Sequence, residues 1–286
     1  MKPRVAIVAP GAMGSAIGRR LDEHGLQVLT SLGGRSEASV DRARAAGMHH
    51  RNDAELAHAD LFLSIVPPAQ AESVARHYAA LFRDAGRCPV YVDCNAVSPR
   101  TVARIADIIH GSGAAFVDGG IIGGPPKPGQ PGPVLYCAGP AAGAVEALGR
   151  AHLRVRVMPA EVGAASALKM SYAGLTKGLT ALAATMLMAA TRNGAAAALH
   201  AVLAESQPHL LAQFERAVPD MFGKAYRWVA EMHEIADFLQ EDAAGSDVYR
   251  RFGDIYEALA AAQRDQGESV TQLGAFFEQE AGERPS

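Results

Sequence analysis

Up to Pro159 the chain alternates short apolar runs with helical patterns, and beyond it no strand signal recurs. That break constrains the fold more than any other feature. The runs RVAIVA (4–9), LQVLT (26–30), LFLSIV (61–66), PVYVDC (89–94), AAFVDG (114–119), PVLYCAG (133–139) and VRVMP (155–159) read as strands. Several are apolar almost throughout, as strands buried on both faces of a parallel sheet must be. Between them, 13–24, 36–47, 70–86 and 98–113 carry apolar residues at helical spacing. Such alternation predicts a doubly wound α/β domain. After Pro159, alanine-rich helical patterns cover 163–192, 195–205, 209–217, 224–241 and 246–264, and the terminal EAGERPS reads as frayed.

At 286 residues and 49% apolar, the chain is long enough for two domains with a substantial core. The net charge of −3, with no long basic block, argues against a nucleic-acid partner. The basic clusters Arg42–Arg44 and Arg250–Arg251 read as solvated helix faces. Three cysteines without a CxxC pair point away from a disulfide framework or a metal site, and toward a reducing cytoplasm. Val5–Ala9 is too short for a signal h-region. The apolar stretch Leu175–Ala190 carries Lys177 and several threonines, so it reads as a buried helix and not as a membrane span.

The stretch VAIVAPGAMGSAIG (5–18) places a tight turn between the first strand and the first helix. In a Rossmann turn, glycines allow the bend, the approach of pyrophosphate and the packing of helix on strand. Gly11 and Gly14 fill the second and third places, while Ala9 stands at the first. A helix starting near Ala12 would aim its free N–H groups at phosphates, which assigns Pro10, Gly11, Ala12 and Met13 to the cofactor. Val66, Pro67 and Asn95, at the ends of later strands, complete the expected contacts. The second strand ends in TSLGGRSEAS, where NAD-preferring domains place an acid. Here Arg35 and Ser36 suit a 2′-phosphate, so NADP is favoured and NAD remains possible.

Lys169 lies in EVGAASALKMSYAGLTKG (161–178), inside a helical pattern of small residues. It is either a snorkelling lysine or a lysine held in a cleft to exchange protons near neutrality. The pattern alone leaves both open.

Four segments, taken in order, resemble the β-hydroxyacid dehydrogenase and 6-phosphogluconate dehydrogenase superfamily. APGAMG resembles its GxGxMG cofactor turn, and VDCNAVSP (92–99) its DxSTxxP segment. DGGIIGG (118–124) resembles the DAPVSGG substrate loop, and GAASALKMSYAG (163–174) the GxGxxxKxxxN helix with its catalytic lysine. The resemblance implies an α/β Rossmann domain (1–160), a long interdomain helix and an all-α substrate and dimerisation domain (161–286). It further implies hydride transfer between a nicotinamide and a small hydroxy or carbonyl substrate. Lys169 would be the catalytic acid or base, and Asn95, Ile122, Gly123, Gly124, Tyr172 and His233 would meet substrate. A homodimer through the helical domain is implied as well.

This chain departs from the family at two positions. Ile122 stands where the substrate loop has serine, and Ala173 where the lysine helix has asparagine. KMSYAG also lacks the His–Asn pair of 6-phosphogluconate dehydrogenase, whose helical domain is larger, which points away from phosphogluconate as substrate. His233 and Glu234 occupy the place of a later Lys–Asp pair. Imine reductases share the architecture but usually replace the lysine, so C=N reduction is an alternative, as is a regulator that binds NADP without turnover.

Overall fold

The computed structural model describes residues 2–127, 129–264 and 268–278. The expectation for 280–286 lies outside the described residues. Backbone contacts divide the chain into one unit of residues 1–170 and another of 171–286. The division falls inside the long helix, past the change of composition at Pro159.

The first unit holds one eight-stranded sheet in the order β3-β2-β1-β4-β5-β6-β7-β8. The strands are β1 (Val5–Val8), β2 (Val28–Thr30), β3 (His49–His50), β4 (Leu61–Ser64), β5 (Val90–Asp93), β6 (Ala115–Ile122), β7 (Val134–Ala138) and β8 (Arg154–Val157). The order 3-2-1-4-5-6 is that of a dinucleotide-binding sheet, with its switch point between β1 and β4. Within each central strand, alternate residues supply opposite layers. Val5, Ile7, Leu63, Val92 and Val117 enter one core, and Ala6, Val8, Phe62, Tyr91 and Phe116 the other. Both faces are therefore dry, which explains the uninterrupted apolar runs. Phe62, Tyr91 and Phe116 share a register row and stack at 5.2 and 6.0 Å between centroids. Each buried ring contributes about 1.5–3 kcal/mol.

The sheet corrects the parallel expectation at one edge. β7 runs antiparallel to β6, with Ile122 opposite Val134, and only β8 returns to parallel pairing. The two-residue β3 escaped the sequence pattern because its histidines are exposed and offer no apolar run. The helices of this unit are α1 (Ala12–Glu23), α2 (Glu37–Ala45), α3 (Asp53–Leu56), α4 (Ala71–Ala85), α5 (Pro99–His110) and α6 (Glu146–Gly149). The four-residue α3 and α6 are too short to show a helical period. The proline-rich loop after β6 is tied to α1, where Arg20 donates to the carbonyls of Pro131 (2.9 Å), Gln130 (2.9 Å) and Lys127 (3.3 Å).

α7 (Ala164–Arg192) opens in the first unit and continues into the second. There α8 (Ala196–Ser206), α9 (Pro208–Met221), α10 (Ala225–Phe238), α11 (Ala243–Arg264) and α12 (Glu268–Glu278) follow. α12 lies beyond the helical patterns read from the sequence, and α9 runs past the expected end at residue 217 to include Pro219 in its last turn. Gly174 and Gly178, one turn apart, leave a groove for Tyr249, whose hydroxyl would lie 3.1 Å from an added Cβ at either position. Lys177 pairs with Glu231 and lies 5.3 Å from the Trp228 ring centroid, while its carbonyl accepts from the Tyr256 hydroxyl at 2.5 Å. Among the described residues, α7 alone is long and apolar enough to cross a membrane by length and composition.

Candidate active site

The carboxyl ends of β1 and β4 flank the switch point, where ligands of such sheets bind. After β1 the chain turns tightly: the Gly11 N–H donates to the Ala9 carbonyl at 2.8 Å, and α1 begins at Ala12. Gly14 packs against this turn so closely that a Cβ would fall 2.1 Å from the Ala9 oxygen. Gly11 has nothing within 4 Å of the place a Cβ would take. The protein's own packing thus demands glycine at 14 and leaves the space beside Gly11 open. No side chain caps α1, and no acid lies in its first turn. In contrast, Ser98 caps α5 and Asn52 forms a capping box on α3. Leading amides without a capping side chain, beside an open backbone, fit a pyrophosphate. Ala9 turns without the first glycine, so the residues present fit a dinucleotide.

At the end of β2, Arg35 lines a cavity of about 240 Å³ with Val8, Ser31, Gly33, Val74 and His77. Asp53 lies in the same cavity, held by the His77 ring at 2.8 Å and the Tyr78 hydroxyl at 2.9 Å. Burial alone would raise the Asp53 carboxyl, but hydrogen bonds from Ser31, His77 and Tyr78 bring it below its usual range. The acid is therefore a bound anion. Ser36 is the N-cap residue of α2, yet its hydroxyl faces Ser39 at 3.1 Å and does not cap the helix amides.

A second cluster surrounds Lys169. Asp118, fully buried at the middle of β6, caps α7: one oxygen accepts from the N–H groups of Gly163 (2.8 Å), Ala165 (2.9 Å) and Ser166 (3.1 Å), and the other from the Ser166 hydroxyl (2.7 Å). Gly120 lets the helix approach, since a Cβ there would lie 2.7 Å from the Ala165 carbonyl oxygen and 3.5 Å from the Lys169 Cβ. Lys169, partly buried one turn further on, donates to the Cys94 carbonyl at 3.4 Å, at the carboxyl end of β5.

Asn95 is buried beside it, and its amide is spent inside the protein. Its Oδ1 accepts from the Val66 N–H at 2.7 Å; its Nδ2 donates to Ser64 (3.0 Å) and to Asp93 (2.9 Å). The side chain therefore braces the β4 and β5 ends and fixes the Val66–Pro67 backbone. Asp93 accepts twice from Asn95 and shares register with Asp118 and Ser64. Burial, with the Asp118 charge adding and Asn95 and Lys169 opposing, lifts its carboxyl to about 7. Burial also raises Asp118, against its four donors.

The first unit thus gathers Pro10, Gly11, Ala12 and Met13 on one turn, Arg35 and Ser36 on the next, and Val66, Pro67 and Asn95 on one brace. Ile122 ends β6, and Gly123 takes a φ of +117° with a would-be Cβ 3.0 Å from Pro133. Gly123 is therefore required by the turn itself, whereas Gly124 has open surroundings. Tyr172 and His233 belong to the second unit. Tyr172 is half exposed, and the exposed His233 ring lies against α11 at Gly253. Asp93 and Asp118 both lie inside the quoted motif segments, yet nothing local in the sequence marks either as a site residue. The sequence had no signal for Asp53, His77 and Tyr78, which meet only through the fold. Cys94 and Cys137 are buried thiols, raised by burial, as expected of core cysteines.

Comparison with known proteins agrees with this fold. Residues 4–151 match the family model of the NAD binding domain of 6-phosphogluconate dehydrogenase. Residues 190–259 match a domain of unknown function, DUF1932. An uncharacterised 28.5 kDa protein of Methanothermus fervidus is 28% identical over 206 residues, which are 71% of this chain and 77% of that one. A solved protein of unknown function, described as structurally similar to 3-hydroxyacid dehydrogenases, is 27% identical, with a TM-score of 0.68 over 91% of this chain and 99% of its own. Two further structures share the fold. The Mycobacterium tuberculosis 3-hydroxyisobutyrate dehydrogenase has a TM-score of 0.73 at 16% identity, covering 96% and 99% of the two chains. The Myxococcus stipitatus imine reductase, solved with NADP+, has a TM-score of 0.56 at 17% identity, covering 96% and 100%.

Proposed function

The chain belongs to the family of the NAD binding domain of 6-phosphogluconate dehydrogenase, within the β-hydroxyacid dehydrogenase-like NAD(P)-dependent oxidoreductases, and from that premise we propose that it interconverts a small alcohol and its carbonyl compound, with NADP preferred and Lys169 as general acid and base. The observation that carries this reading is the Lys169 ammonium beside the Cys94 carbonyl, at the carboxyl end of β5 next to the Asn95–Val66 brace. When bound, the nicotinamide supplies or accepts the hydride.

The chain's own groups do the rest. The uncapped start of α1 and the open Gly11 hold the pyrophosphate. Arg35 and Ser36 face the 2′-phosphate. The Val66 and Pro67 backbone, fixed by Asn95, presents a rigid edge to the nicotinamide half. Lys169 gives a proton to the carbonyl oxygen in reduction and takes it from the alcohol in oxidation, help worth about 10²–10⁴-fold. Ile122, Gly123, Gly124, Tyr172 and His233 are assigned to substrate, and Ile122 makes that contact apolar. An acceptor without a carboxylate fits such a contact, which favours C=N reduction as the second reading. The enzyme is read as a cytoplasmic homodimer that uses its helical unit as the interface.

The test is a screen of NADPH and NADH against aldehydes, β-keto acids and cyclic imines, with Lys169→Ala in parallel. NADPH oxidation by the wild type, falling about 10²–10⁴-fold in the variant, is expected. Unchanged turnover in Lys169→Ala rejects the acid–base role. Tighter use of NADH rejects the assignment of Arg35 and Ser36, and cofactor binding with no turnover on any acceptor favours a regulator.

A further inference from the structure

Arg42 is exposed on α2, as its sequence suggests, but its guanidinium is tied to neighbouring groups. Its Nη2 donates to the Ser39 hydroxyl at 2.8 Å, and its Nε reaches back to the Pro10 carbonyl at 3.4 Å. Ser39 in turn faces Ser36 at 3.1 Å. One guanidinium therefore joins the cofactor turn after β1 to the hydroxyl pair at the start of α2. Its neighbours on the helix do not neutralise it, because Asp41 pairs with Arg44 at 3.4 Å. Among the described residues Arg42 has no carboxylate within ion-pair distance, and its acceptors are a neutral carbonyl and a neutral hydroxyl. An arginine held in this way keeps its positive charge and part of its donor fork for a planar anion.

We propose that Arg42 is a second cation for the 2′-phosphate of NADP, acting with Arg35, Ser36 and Ser39. The assignment rests on the NADP reading above and adds a residue to it. Arg35 arrives from the loop after β2 and Arg42 from the body of α2, so the phosphate is met from two elements. The bond to Pro10 anchors the guanidinium to the turn after β1, which holds its fork in place for the 2′-phosphate.

The test is direct binding of NADPH, NADH and adenosine 2′,5′-bisphosphate to the wild type, Arg42→Ala, Arg42→Lys and Ser39→Ala, by calorimetry. Thermal unfolding without ligand reports on folding. In Arg42→Ala, NADPH and the bisphosphate are expected to bind about 10- to 100-fold more weakly, as for loss of a charged hydrogen bond, while NADH changes less than about 3-fold. Arg42→Lys recovers part of that loss, because it keeps the charge without the fork. Equal losses for NADPH and NADH overturn the proposal and make Arg42 a brace for the turn. A wild type that prefers NADPH, with an Arg42→Ala variant that binds it unchanged, overturns the proposal and leaves the NADP reading standing. A wild type indifferent to the 2′-phosphate overturns both.

Discussion

Burial lifts the Asp93 carboxyl from an ordinary 3.8 to about 7, and the consequence for stability has a definite sign. Between those values the folded protein binds a proton that the unfolded chain has released. Stability therefore falls as pH rises through that window, by up to about 1.4 kcal/mol per pH unit for one proton. Asp118, also raised, acts in the same direction. The groups facing Asp93 include Asn95 on its own turn, Tyr91 and Cys94 on its own strand segment, Ser64 from β4, Asp118 from β6 and Lys169 from α7. Urea midpoints at pH 5 and pH 7 are expected to show higher stability at pH 5, with a smaller difference in Asp93→Asn. An equal difference in the variant would place the proton elsewhere. At this scale the sequence places the aspartates inside motif segments. Their titration was not legible, because it depends on neighbours from three other elements.

At the scale of single elements, α7 shows how the start of a helix is fixed by a distant strand. Its first turn has no acid of its own, and the capping carboxylate comes from β6, 45 to 48 residues earlier in the chain. Asp118→Ala leaves three helix amides without that acceptor and is expected to cost about 2–3 kcal/mol. Asp118→Asn keeps one acceptor oxygen and is expected to cost less. Chemical denaturation of both variants checks the order. Because Lys169 lies just beyond this cap, Asp118→Ala should also weaken activity beyond its effect on stability. The helix itself was readable from its spacing, and so was the lysine. The cap was not, since no local N-cap signal points to a strand residue so distant in sequence.

For the whole molecule, the apolar residues left uncovered matter most. In the helical unit, Tyr172, Leu175, Leu182 and Met186 are 50%, 73%, 50% and 54% exposed. Their spacing places them along one stripe of α7, and a sustained apolar stripe in water asks for cover. Light scattering after size exclusion at micromolar concentration is expected to give a dimer. Leu182→Glu with Met186→Glu is expected to shift it to monomer, since each charge would be buried unpaired. A monomeric wild type removes the proposed assembly.

The sequence by itself determined the alternating first half, the helical second half, the tight glycine turn after the first strand and the candidate lysine. Each is written in local spacing or in a short run of neighbours, and hydrophobic period and turn chemistry act over a few residues. Only the tertiary structure decided the antiparallel β7, the bound state of Asp53, the commitment of Asn95 to Val66 and the turn of Arg42 toward Pro10. Those features depend on which oxygen lies within about 3 Å of which donor. Such a distance is set by strands and helices that pair across dozens of residues, and no local pattern encodes it.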